Sequence, residues 1–197
     1  LGYEAAERSS TFFIKRVRLN LAGNLAPKLG YRVQIEFASP KVVDAYVEWK
    51  PLRQLNVKLG EYKVPFSIEN TDYVPLKFEL IEYPLGLRRL MGFEDVCGGF
   101  FRRDGYDVLS YDLGVFNGEG INTKDRNTSK DLSARLGVRP FPGLLLSASY
   151  YRGEYGASYL RRVRYGAGVC YDRGPVVLRG EWIGGETGLP AGDERPA

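Results

Sequence analysis

The chain contains no histidine, and that absence removes histidine-based catalytic triads and most zinc and transition-metal sites before any motif is sought. Cysteine is almost as scarce. Cys97 and Cys170 are the two present, far apart and outside any closely spaced redox or metal-ligand motif. Long apolar runs are missing too: nothing approaches the roughly 18 to 20 consecutive apolar residues of a transmembrane helix, which excludes a helical membrane protein. Residues 1–8 lack the basic, apolar and small-residue regions of a signal peptide, so the expectation is a processed chain or a fragment. The acids Glu79 and Glu82, or Asp125 and Asp131, have neither an EF-hand spacing nor a nucleophile motif beside them, and they read as solvated loop carboxylates. No catalytic residue, metal site, cofactor or nucleic-acid partner is expected.

What is present, over 197 residues with a formal charge of +4, is a period of two. Val17, Leu19 and Leu21 alternate with Arg16, Arg18 and Asn20; residues 24–30 read as the turn that follows. Tyr31, Val33, Ile35 and Phe37 then oppose Arg32, Gln34 and Glu36, and Val43, Ala45, Val47 and Trp49 oppose Asp44, Tyr46, Glu48 and Lys50. Further strands are expected at 55–59, around 95–102, and at 109–115, 132–138, 144–151, 163–171 and 176–183, about ten in all. Residues 64–92, with three prolines, scattered aromatics and a possible short helix at 76–82, break the pattern and read as one long folded loop.

Strand follows strand with no helical domain, and short turns alternate with longer loops. Aromatics recur near strand ends on the apolar face (Tyr31, Phe37, Trp49, Tyr171, Trp182), and charges crowd the opposite face. Charges in such number do not line a packed core, because their desolvation is too costly; they line water. A transmembrane barrel needs apolar residues at only every second position, so a mean hydropathy of −0.29 is compatible with it. A soluble antiparallel sheet acting as a binding or scaffold domain satisfies the same pattern and stands as the alternative. An outer-membrane hydrolase has only scattered serines and acids in its favour.

Four stretches carry a resemblance: FFIKRVRLNLAGNLAPKLGYRVQIEF (residues 12–37), DAYVEWKP (44–51), LNVKLGEYKVPFSIE (55–69) and YDLGVFNGEG (111–120). In them the chain resembles the phosphate-selective porin O/P family of bacterial outer membranes. Barrel physics in general does not demand the glycine, aromatic and lysine that lead into Pro65, Phe66 and Glu69. The resemblance implies an all-β, antiparallel up-and-down transmembrane barrel of about sixteen strands, of which this chain supplies about ten as a single incomplete domain over 1–197. It implies also a homotrimer in outer-membrane lipid and a long loop folded into the pore, placed here at 64–92. The polar C-terminal residues 189–197 depart from the aromatic terminal strand of such proteins, so the chain is expected to match the first half of a member.

On the inward face the basic residues are Arg16, Arg18, Arg32, Lys50, Lys58, Arg135, Arg139, Arg162, Arg164 and Arg179. Their expected work is to attract small anions, phosphate among them, because guanidinium groups bind phosphate oxygens bidentately and a confined pore focuses their field. The opposing reading is a solvated face on which Glu36, Asp44, Glu48, Asp112, Asp131, Asp172 and Glu181 neutralise these bases across strands. Arg88 and Arg89 in the long loop either narrow the pore with charge or cap a short helix. The glycines of YGAGVCY, inside a strand pattern, read as tight packing or a bulge rather than as a phosphate loop.

Overall fold

The computed structural model describes residues 2–6, 9–52, 55–72, 96–102 and 108–188. Alternation becomes a meander: β3 (Arg18–Ala26), β4 (Leu29–Glu36), β5 (Lys41–Leu52), β6 (Leu55–Tyr62), β7 (Val96–Arg102), β8 (Leu109–Phe116), β9 (Asp131–Val138), β10 (Leu144–Tyr155), β11 (Leu160–Arg173) and β12 (Val176–Thr187) pair antiparallel in chain order as one ten-stranded sheet. Ahead of it β1 (Gly2–Ala6) and β2 (Ser9–Phe13), which the sequence reading left unassigned, form a separate hairpin. Among the described residues one helix, α1 (Ile68–Asp72), follows β6. The helix expected at 76–82, and Arg88 and Arg89, lie outside the described residues.

Two boundaries differ from expectation. The turn placed at 24–30 is only Pro27 and Lys28, because strand pairing continues through Asn24↔Gly30 to Ala26↔Leu29. Val43, expected on the outer face, is the extra residue of a bulge between Gln34↔Asp44 and Ile35↔Val42, and it is buried. A bulge re-aims one side chain while the alternation resumes beyond it.

The sheet is strongly curled. From Tyr62 to Ile68 the chain reaches at most about 22 Å fully extended, whereas β6 and β12 stand six spacings apart, roughly 29 Å in a flat sheet. Ile68 nevertheless donates its N–H to Glu181 of β12 at 2.5 Å. Tyr46 of β5 and Ile183 of β12 likewise pack on one cluster of Tyr62, Val64, Phe66, Phe116 and Tyr151.

Curling gives the two faces opposite fates. Leu19, Leu21, Val47, Trp49, Leu59, Leu113, Val115, Leu132, Leu136, Tyr165, Val169 and Trp182 are exposed on the convex face. Glu36, Asp112, Ser133, Arg135, Ser147, Ser149, Arg162 and Arg164 are buried on the concave one. The polarity is the reverse of a water-soluble domain's and suits a sheet whose outside meets hydrocarbon. Of the aromatics expected near strand ends, Trp182 sits mid-strand in β12, where its ring meets that of Tyr165 at 5.5 Å.

Candidate functional site

The concave face begins as a ladder of cross-strand ion pairs. Opposition of Arg18 and Glu36 in the β3–β4 register brings Arg18 Nε within 2.9 Å of Glu36 Oε2. Next along the sheet, Arg32 Nε meets Asn20 Oδ1 at 2.9 Å and Asp44 Oδ2 at 3.2 Å. Glu48 then takes Lys50 at 2.7 Å and Lys58, directly opposite it, at 3.5 Å, while Lys58 also stands 4.7 Å from the centre of the Tyr46 ring. Deeper in the wall the β8–β9 register sets Arg135 against Asp112, 3.3 Å apart and both buried.

The far side of the wall is organised differently. Arg164 donates to the carbonyls of Val163 and Glu186 and to Thr187 Oγ1, and Arg162 lies over the Tyr155 ring at 4.6 Å. Arg179, opposite Cys170, is half-buried on the same face. Two of the basic residues expected on strands lie off them: Arg16 is in the connector before β3, and Arg139 is exposed in the turn after β9. Alternation cannot find a strand end to within a residue or two, and both sit at such ends.

The dominant feature of the concave face is a segment that sequence reasoning located but did not anchor. Residues 64–72 leave β6 and lie against β9–β12. Val64, Phe66 and Ile68 are buried, and Ser133 donates to the Pro65 carbonyl at 3.1 Å. Phe66 and Ile68 settle on Gly166 and Gly168, where an added Cβ would stand 3.4 Å from the Phe66 ring and 2.8 Å from Ile68 Cδ1. The YGAGVCY glycines therefore mark tight packing, and what they pack against is this segment. The alternation of GEYKVPFSIE, with an apolar residue at every second position from Tyr62 to Ile68, was the available signal.

The last of the four stretches, residues 111–120, packs into the same face and leads into the loop at 117–130. Asp112 pairs with Arg135, Phe116 joins the buried cluster, and Gly118 and Gly120 adopt φ of +82° and +96°. Those angles bring Gly118 so close to Asp131 that a side chain there has no room. Glu119, fully buried, accepts from Arg126 at 2.8 Å, from Asn127 at 3.2 Å and from the Gly156 N–H at 2.9 Å. Asn122 reaches the other way, to both backbone groups of Val42 and to Glu61. The hydrogen bond from Lys130 holds the Asp125 carboxyl below its ordinary range. The 117–130 loop thus ties the ends of β5 and β6 to the β10–β11 turn.

Comparison with protein-family models matches residues 2–169 to phosphate-selective porin O and P. No curated protein and no solved structure matches the chain.

Proposed function

The chain belongs to the phosphate-selective porin O and P family, a family of outer-membrane channels and not of enzymes, and from that premise we propose that it passes small anions, phosphate among them, through a water-filled lumen walled by its concave face. The observation that carries the sign of the selectivity lies within the ion pairs. Side-chain exposure is 28% for Arg18 against 4% for Glu36, 34% for Arg32 against 13% for Asp44, and 58% for Lys50 against 18% for Glu48. Short carboxylates lie against the wall while long basic side chains extend over them into water. Pairs that are formally neutral therefore show a passing ion their positive ends.

On this reading the pathway residues are Arg18, Arg32 and Lys50, while Lys58, no more exposed than Glu48 (17% against 18%), holds that carboxylate in the wall; the loop of residues 64–92 is the constriction and three copies are the assembly. The test is the reversal potential across a planar bilayer under a potassium chloride gradient. The R18E/R32E channel should lose or invert the anion preference of the parent while its heat-modifiable gel migration stays unchanged. An unaltered reversal potential would move selectivity elsewhere.

A further inference from the structure

Of the concave-face carboxylates, Glu36, Asp44, Glu48 and Asp112 each answer a base on their own or a neighbouring strand. Glu181 instead turns both oxygens to the inserted segment: Oε1 accepts the Ile68 N–H at 2.5 Å and Oε2 the Ser67 hydroxyl at 2.7 Å. Ser149 on β10 accepts the Ser67 N–H at 3.1 Å. Ser67 is held at φ 70°, in the left-handed region that a serine seldom occupies. Such a conformation persists where the surroundings over-determine it, and here three hydrogen bonds to two strands, β10 and β12, do so.

We infer that Glu181 is a positioning residue of the channel: it latches residues 64–72 to the β9–β12 wall and so confines the ion path to the β3–β6 side. The inference rests on the porin reading. A carboxylate suits the post because two donors converge on it and charge-assisted hydrogen bonds are the stronger ones. The latched segment lies on the half of the wall where Ser133, Ser149, Arg162 and Arg164 are buried, and away from the half where Arg18, Arg32 and Lys50 meet water. Arg135, Arg162 and Arg164 then hold the wall together and do not meet the passing ion.

The test uses single-channel recording of the complete porin. E181A should raise open-channel noise and shift mean conductance by about twofold or more, since an unlatched segment wanders into a narrow path; E181Q, which keeps one acceptor, should fall between. In a background carrying C97S and C170A, the S67C/E181C pair, bridged by a short bifunctional methanethiosulfonate reagent that replaces the lost reach of the glutamate side chain, should cross-link with a return to quiet current, and reductant should undo both. If E181A fails to assemble, S67A removes one donor while leaving Glu181 in place and should show the same change at smaller size. Parent-like noise and conductance in E181A, or in S67A where that variant decides, would overturn the latch, as would a cysteine pair that never cross-links. Loss of anion preference with latch-dependent noise intact would sink the selectivity reading alone. Absence of any channel would sink the porin reading, and cross-linking in detergent would still decide the latch.

Discussion

Arg32 and Arg135 carry the same charge and each faces an aspartate, yet burial gives them different work. Arg135 and Asp112 are both enclosed in the wall, so Arg135→Ala leaves a carboxylate without its counter-charge away from water and should destabilise the protein by about 3 kcal/mol or more. Arg32→Ala, at the edge of the water, should cost about 1 kcal/mol or less. Urea unfolding in detergent micelles, followed by tryptophan fluorescence, measures both, and equal effects would contradict the assignment of Arg135 to the wall. Glycine offers a second pair. A Cβ on Gly153 would stand 1.9 Å from Asp131 Cγ, whereas one on Gly180 has Val169 as its nearest neighbour, at 3.8 Å. Gly153→Ala must push aside a carboxylate that accepts from Tyr151 and from the Glu154 N–H, a cost of roughly 1 to 3 kcal/mol by overpacking. Gly180→Ala should be nearly silent in the same titration.

At the scale of the element, a strand in this sheet has one face for hydrocarbon and one for water, and a change is judged by which it meets. Val33 and Arg32 are neighbours on β4, opposite Leu21 and Ala22 of β3. Val33→Arg puts a charge into the lipid, at roughly 2 to 4 kcal/mol near the midplane, and should cut the yield of heat-modifiable barrel on refolding into vesicles. Arg32→Glu should leave that yield unchanged. The opposite outcome would mean that inside and outside are exchanged. The inserted segment obeys a different rule, since its register on β11 is set by the absence of side chains. Gly168→Val, with its branch driven into Ile68 and the Glu181 side chain, should lift the segment from the wall. Faster protease cleavage within residues 64–72 at unchanged barrel migration is the expected result.

For the molecule as a whole the governing fact is that, among the described residues, the sheet has two edges, β3 and β12. An edge in a bilayer exposes backbone N–H and C=O groups to hydrocarbon, each at a cost of several kcal/mol. Both must therefore be paired in the membrane, with each other or with further strands. Ten strands already curl far enough for β5 and β12 to share a cluster, but β3 and β12 do not pair with each other. Residues 1–197 refolded alone should accordingly give no uniform single-channel steps in planar bilayers. Uniform steps from them would show that the two edges join.

The strands and their two faces were legible in the sequence, because a strand's side chains alternate with a period of two whatever it pairs with. All ten sheet strands were found that way; desolvation placed the charged face in water, and the resemblance to porins made that water the lumen. Strand ends were less legible: Arg16 and Arg139 were placed on strands they adjoin, the 24–30 turn shrank to two residues, and Val43 turned inward through a bulge. These depend on register between strands, which no single strand contains. Opposite charges on one face can be listed from the sequence, but curvature decided that Arg18, Arg32 and Lys50 reach past their carboxylates into water while Arg135 is sealed in. The role of Glu181 was the least visible. It lies 113 residues from Ile68, and only the curling of six strand spacings into a short chain's reach brings the two together.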